Sequence, residues 1–145
     1  MEVAQAVADT GFVVALLNRT DAWHDAASAL YAELDTTVLL PQTVLAEVAY
    51  LVGRAAGTTA VAAFLTGIPR SRFRLVALDE QDVQRTAEIL NQYSDSRIDF
   101  VDASVMAIAE RLQLTTVLTL DQRDFRLFRP QHCTHFVLLP TTGNG

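Results

Sequence analysis

Short apolar segments alternate with longer helix-like segments along the whole chain, and this alternation limits the possible folds more than any other feature. Strands are predicted at residues 3–8, 37–40, 72–77, 115–120 and 136–139, and helices at residues 11–18, 22–34, 42–54, 57–66, 80–92 and 98–112. Strands separated by helices of roughly ten to fifteen residues form βαβ units. We therefore expect an α/β fold, a single α/β/α sandwich with a mostly parallel central sheet.

The composition indicates one globular domain. A chain of 145 residues is long enough to bury a single core without disulfide bonds. Half of its residues are apolar and 19% are charged, which excludes a disordered chain. We expect residues 1–140 to form the domain and residues 141–145 to be a disordered tail.

The charged residues exclude several classes of protein. Seventeen acidic and eleven basic residues give a net charge of −6, and all eleven basic residues are arginines. The positive field over the whole surface that is typical of non-specific nucleic-acid binders is therefore absent. Because the sequence has no lysine, receiver domains of phosphoryl transfer and P-loop nucleotidases, which both need one, are also excluded.

The cysteine content and the hydropathy of the sequence indicate the cellular compartment. Cys133 is the only cysteine, so an intramolecular disulfide and a zinc site made of several thiolates are excluded. No apolar run reaches the roughly 18 residues that a membrane span needs. The N-terminal segment has no basic start and contains Asp9, unlike a signal peptide. We expect a cytoplasmic protein with no membrane partner.

Four carboxylates stand in segments that are otherwise apolar. Asp9 follows the first predicted strand, Glu47 is the only charge in VLAEVAYLV, Asp102 lies in FVDASVMAIA, and Asp121 ends TTVLTL. Acidic side chains are almost never buried without a partner. Each has an ordinary alternative, since the three aspartates could cap helices and Glu47 could pair with Arg54.

The expected topology brings these carboxylates together. The carboxyl ends of parallel strands share one edge of the sheet, which is where such folds bind ligands. Clustered carboxylates repel one another, and a divalent cation relieves the repulsion. Because the ligands are all oxygens, Mg²⁺ or Mn²⁺ is the expected cation.

Three segments resemble the motifs of the PIN-domain ribonucleases, the family that includes the VapC toxins of toxin–antitoxin pairs. VADTGFVVALLNRTDAWH resembles the opening of a PIN domain, and TVLAEVAYLVGRA resembles its second motif. VDASVMAIAERLQLTTVLTLDQRDF resembles the third and fourth motifs, and all motifs occur in order over nearly the whole chain.

The resemblance implies a set of site residues. It assigns catalysis and metal binding to Asp9, Glu47, Asp102 and Asp121, and it places Asp124 where some members have a further acid. Asp9 and Asp102 are the expected direct ligands, whereas Glu47 and Asp121 can act through water. Thr119 stands where a hydroxyl often supports the site, and Gly11 stands where many members have serine. Asp99 has no place in the family pattern.

The function implied by the resemblance is that of a Mg²⁺- or Mn²⁺-dependent endoribonuclease, a hydrolase of RNA phosphodiester bonds and the toxin of a toxin–antitoxin pair. The implied partners are RNA, a small antitoxin protein and a second copy of the chain in a homodimer. The alternative is a PIN-like binding or scaffolding module whose metal site is weak or silent.

RNA must still be held by an acidic protein, and two arginines are candidates. Arg123 and Arg126 come directly after Asp121, and a guanidinium can bind phosphate through two parallel hydrogen bonds. We predict that both bind substrate, the alternative being ordinary solvated surface charges.

Overall fold

Five short strands form one parallel sheet in the computed structural model, which describes residues 5–141. The strands are β1 (Ala6–Ala8), β2 (Val38–Pro41), β3 (Phe73–Val76), β4 (Thr116–Leu118) and β5 (Val137–Leu139). They pair in the order β3-β2-β1-β4-β5, and every pair is parallel. The predicted α/β/α fold is confirmed. Residues 3–4 of the first predicted strand and residues 142–145 of the predicted tail lie outside the described residues.

Seven α-helices connect and flank these strands within the described part of the chain. They are α1 (Thr10–Leu17), α2 (His24–Glu33), α3 (Gln42–Ala56), α4 (Thr58–Gly67), α5 (Glu80–Gln92), α6 (Phe100–Arg111) and α7 (Arg123–Leu127), with a 3-10 turn at Ile68–Arg70. Helices α1 to α6 correspond to the six predicted ones, and their ends differ by no more than two residues. None of the helices between residues 5 and 141 is long and apolar enough to cross a lipid bilayer.

Local side-chain chemistry explains where several helices begin. Asp79 starts α5 and Asp99 starts α6, each through a capping box in which the cap and the third helical residue exchange hydrogen bonds. The prediction that Asp21 caps a helix from residue 22 is wrong, because α2 begins at His24 and Asp21 instead accepts a hydrogen bond from the Trp23 amide at 2.8 Å. Gly57 separates α3 from α4 with a φ of 88°, a conformation that suits glycine.

Helix α6 is the most buried helix, and it fixes one wall of the site. Residues 103–110 are all buried, and α6 contacts α3, α5, β1 and β2. At its far end the buried Glu110 carboxylate accepts a hydrogen bond from Arg85 Nε at 2.7 Å and from the Gln131 amide at 2.8 Å. Apart from Arg111 at its end, only the first turn of α6, which carries Asp102, reaches accessible surface.

Candidate active site

An acidic cleft lies at the carboxyl edge of the sheet, where β1, β4 and α6 meet. Asp9 directly follows β1, and Asp121 follows the adjacent strand β4. The start of α6 brings Asp99 and Asp102 to the same edge. The cleft has a volume of about 260 Å³ and is lined by Asp9, Arg97, Asp99, Asp102, Asp121 and Asp124. The topology therefore gathers four of the five predicted acidic site residues around one cleft.

Asp9 occupies the floor of the cleft in an unfavourable electrostatic environment. It stands at the N-cap position of α1, but its side chain makes no capping hydrogen bond, so the simple capping alternative does not hold. Its Oδ2 accepts a hydrogen bond from Thr119 Oγ1 at 3.1 Å. The pKa of Asp9 is raised from 3.8 to about 6. Burial is the main cause and the charges of Glu47 and Asp99 add to it, whereas hydrogen bonds from the Thr10 backbone and Thr119 act in the opposite direction.

Asp102 is held by the start of its own helix. Its Oδ2 accepts a hydrogen bond from the Asp99 amide at 3.1 Å, and its amide donates to Asp99 Oδ1 at 2.9 Å. The N-cap of α6 is therefore Asp99, and Asp102 is not the cap but the third helical residue of the capping box. This contact orients the Asp102 carboxylate and leaves it in the cleft. Burial, followed by the negative charge of Asp9, raises the pKa of Asp102 to about 8. The two acids disfavour each other's ionisation.

Glu47 lies beside the cleft rather than in its lining. It is half-buried on α3, and its charge helps to raise the pKa of Asp9, so it shares the electrostatic environment of the site. The alternative partner Arg54 instead donates to the Tyr50 hydroxyl at 3.4 Å and stacks against that ring. Within residues 5–141, Glu47 and Arg54 do not form an ion pair.

Arg123, one of the two predicted substrate-binding arginines, binds an acid of the cleft. Its Nε and Nη2 donate to the two carboxylate oxygens of Asp121, both at 3.1 Å. This two-pronged contact lowers the pKa of Asp121. Both side chains are exposed, so the pair can exchange with solvent, cations or phosphate.

The donor chemistry of the cleft fits a hard divalent cation, although the acids do not close around one here. As placed, no three His, Cys, Asp or Glu side chains in residues 5–141 are grouped closely enough to hold a metal ion together. One oxygen of Asp102 is occupied by its capping box, and both oxygens of Asp121 are occupied by Arg123. Even so, the carboxylates supply only oxygen ligands, and their mutual repulsion is what Mg²⁺ or Mn²⁺ relieves.

Two residues of the cleft are not among the site residues that the sequence predicts. Asp99 lies three positions before Asp102, and this D-x-x-D spacing at the start of an apolar helix is the signature of a capping box. Arg97 supplies positive charge to the lining of the cleft, and its charge contributes to the lowered pKa of Asp121. The sequence contains no periodic or spacing signal for Arg97, because it lies in the loop before α6.

Comparisons with known proteins identify the family. The model of the PIN domain matches residues 6–129, a range that includes every acid of the cleft. The chain belongs to the PIN domain family. It is also 30% identical to ribonuclease VapC26 of Mycobacterium tuberculosis over 135 residues, which cover 92% of this chain and 99% of that protein.

Solved structures share this PIN fold. The crystal structure of the toxin VapC20 of Mycobacterium tuberculosis, described as cleaving the sarcin-ricin loop, superimposes with a TM-score of 0.75 at 26% identity and covers 82% of this chain and 92% of its own. VapBC2 of Rickettsia felis, solved bound to a DNA fragment from its promoter, has a TM-score of 0.65 at 19% identity, with 93% and 97% covered. The expected resemblance to PIN-domain, VapC-like proteins is confirmed.

Proposed function

We propose that this protein is a Mg²⁺- or Mn²⁺-dependent endoribonuclease that hydrolyses RNA phosphodiester bonds and is the toxin of a toxin–antitoxin pair. The observation that carries the proposal is the acidic cleft, in which Asp9 and Asp102 face each other at the carboxyl edge of a PIN-domain sheet. Similarity to a ribonuclease over 92% of the chain supports RNA as the substrate.

In this proposal Asp9 and Asp102 hold the cation directly, while Glu47, Asp121 and Asp124 complete its surroundings. A divalent cation, when bound, would neutralise charge on the phosphate and lower the pKa of a water molecule. Thr119 fixes the orientation of the Asp9 carboxylate through its 3.1 Å hydrogen bond, and the capping box fixes Asp102. Arg97 brings a positive charge to the same cleft, where it can contact a phosphate oxygen of the substrate.

A cleavage assay with paired variants tests the function. Purified protein is incubated with end-labelled single-stranded RNA in Mg²⁺, in Mn²⁺ and in EDTA. We expect cleavage in both cations and none in EDTA, and we expect Asp102→Asn to abolish cleavage while its circular dichroism spectrum is unchanged. Asp35→Asn, which removes an exposed acid outside the cleft, is the control. Equal cleavage by Asp102→Asn and the control would refute the assignment, and a lack of cleavage by the unaltered chain would favour a scaffolding module.

A partner that inhibits the enzyme is part of the proposal. In the Asp121–Arg123 pair a guanidinium already occupies a carboxylate of this cleft, so an arginine of a small antitoxin can compete with the cation. Three of the neighbouring solved structures, a toxin–antitoxin complex and two VapBC proteins, support such a partner. Titration of an arginine-containing peptide should show weaker binding in excess Mg²⁺ and with Asp9→Asn. The homodimer and the cytoplasmic location stay predictions, and light scattering tests the first.

A further inference from the structure

A second cavity lies beside the acidic cleft, and its charge is opposite. It has a volume of about 440 Å³, and we call it the α7 cavity. Its polar lining includes Gln122, Arg126, Arg129, Thr134 and His135, and Leu138 contributes an apolar side. Among the described residues that line it, none is an aspartate or a glutamate, whereas five acids line the cleft.

Helix α7 separates the two spaces. Asp121 and Asp124 line the acidic cleft, whereas Gln122, Phe125 and Arg126 line the α7 cavity. These two sets follow helical spacing, so they occupy different faces of one short segment. A chain-like substrate that passes over α7 therefore meets the acids first and the arginines next, or the reverse.

Hydrogen bonds orient the two exposed arginines of the cavity. Gln122 is buried, and its amide nitrogen donates to the carbonyl oxygens of Thr119 at 3.1 Å and Pro140 at 2.9 Å. Its Oε1 then accepts a hydrogen bond from Arg126 Nη2 at 2.9 Å. Arg129 Nη1 donates to the Arg126 and Leu127 carbonyl oxygens at the end of α7. Each arrangement uses only one terminal nitrogen and leaves the other guanidinium N–H groups available.

The charge of both arginines is not neutralised within the described chain. Among residues 5–141, neither Arg126 nor Arg129 forms an ion pair with a carboxylate. Arg123, by contrast, is bound to Asp121. Two oriented guanidinium groups that share a cavity whose described lining contains no acid form a site for a phosphate. The half-buried side chain of Leu138 adds an apolar surface of the kind that contacts a ribose or a base.

We propose that the α7 cavity binds a nucleotide of the RNA strand next to the one cleaved in the acidic cleft, with Arg126 and Arg129 contacting its phosphate. The inference rests on the proposed ribonuclease function, and it adds a binding site that sets which part of the strand lies over the acids. The cavity thereby adds to Arg97 further positive charge around the substrate of a protein whose net charge is −6.

Fluorescence anisotropy with a labelled single-stranded RNA tests this site. Binding is measured in the Asp102→Asn background, so that the RNA is bound without being cut, and Arg126→Ala, Arg129→Ala and the double variant are compared. We expect each single variant to bind about tenfold more weakly, because a charge-assisted hydrogen bond to the phosphate is removed. The slope of log affinity against log salt should fall by about 0.7 for each phosphate that a variant no longer binds.

Two further variants keep the test decisive. Arg19→Ala removes an exposed arginine in the loop after α1, and we expect it to bind RNA as the parent does. Because Arg126 and Arg129 also make internal hydrogen bonds, Thr134→Glu adds a negative charge at an exposed lining position without removing those bonds. It should weaken RNA binding by a similar factor. Thermal unfolding of each variant checks that the fold is retained.

The possible results separate the inference from the function. If the unaltered chain cleaves RNA but the α7 cavity variants bind RNA as Arg19→Ala does, the inference fails and the proposed function stands. If the variants lose RNA binding but the unaltered chain cleaves nothing, the proposed function fails, and of the inference only RNA binding by the α7 cavity stands. Unlabelled RNA should displace the probe far better than inorganic phosphate at equal concentration, and equal displacement would overturn the inference by assigning the cavity to a free anion.

Discussion

Asp9→Asn should make the folded protein more stable at neutral and alkaline pH when no divalent cation is present. The substitution keeps the shape of the side chain, and its amide oxygen can still accept the hydrogen bond from Thr119. It removes a negative charge that is disfavoured by burial and by the neighbouring acids. Removing that charge also relieves Asp102, whose pKa is raised partly by Asp9.

The size of the effect follows from the pKa of Asp9. It is 3.8 for an ordinary aspartate and about 6 here. Since each tenfold change in an equilibrium is worth about 1.4 kcal/mol, ionised Asp9 lowers the free energy of unfolding by at most about 3 kcal/mol. Asp102 is partly exposed, so solvent screening reduces its contribution to the free energy of unfolding. We therefore expect a gain of about 1–3 kcal/mol for Asp9→Asn.

The pH dependence has a definite sign. Because the folded pKa of Asp9 and of Asp102 lies above the unfolded value, the folded state holds these protons over a pH range in which the unfolded chain has released them. Stability is therefore largest below about pH 4 as far as these two groups are concerned, and it falls as the pH rises through 6 and toward 8. The Asp9→Asn variant should show a smaller fall over the same interval.

Urea unfolding followed by circular dichroism, at a series of pH values from about 4 to 9 in EDTA, measures this difference by linear extrapolation. The control Asp35→Asn removes an exposed acid outside the cleft and should follow the unaltered chain. Excess Mg²⁺ should stabilise the unaltered chain by mass action and should stabilise Asp9→Asn much less. A variant that is less stable than the unaltered chain at pH 8, or whose difference is the same at every pH, would refute the electrostatic reasoning.

Three other substitutions test features of the fold and of the cleft. Glu110→Gln removes the charge that balances the part-buried Arg85 guanidinium and should lower the free energy of unfolding by about 2–4 kcal/mol in urea; a decrease of less than about 0.5 kcal/mol would contradict this. Arg123→Gln frees both oxygens of Asp121 and should tighten Mg²⁺ binding several-fold by calorimetry, whereas unchanged affinity would show that the pair does not compete with the cation. A Cβ atom added by Gly57→Ala would touch no neighbouring atom, but the backbone there has a φ of 88°. The substitution should therefore destabilise the protein by about 1–3 kcal/mol through backbone strain alone, and a neutral result in the same urea assay would refute that explanation.

The sequence predicts the fold well because the hydrophobic period changes clearly between elements. The run TTVLTL is the clearest buried strand of the sequence and contains β4, and the prediction for α6 agrees with the structure to within two residues at each end. The exception is α7, whose five residues are too few to show a helical period. The start of α2 was predicted two residues too early. The side chain of Asp21 accepts a hydrogen bond from the amide two residues later and so forms a turn, and an aspartate favours such a turn as readily as a helix cap.

The acids of the site can be predicted because topology alone brings them together. Asp9 and Asp121 follow adjacent parallel strands, so any sheet of this order places them at one edge. Side-chain pairing within a loop has no such constraint. The contact between Arg123 and Asp121, the place of Arg97 in the cleft and the cavity behind α7 all depend on rotamers and loop paths that residue spacing does not specify.

The pairing of β1 with β4 has a consequence for the synthesis of this protein. Ala6 pairs with Val38 on one side and with Thr116 on the other, so one edge of the first described strand has no partner until a segment far later in the sequence has been made. Until then Asp9 has neither the β4 backbone, whose Leu118 carbonyl accepts its amide hydrogen at 2.9 Å, nor the Thr119 hydroxyl beside it. A nascent chain that ends before residue 115 therefore contains three of the predicted ligands but no cleft to hold them. Such a chain should be inert toward RNA, including the message from which it is being translated.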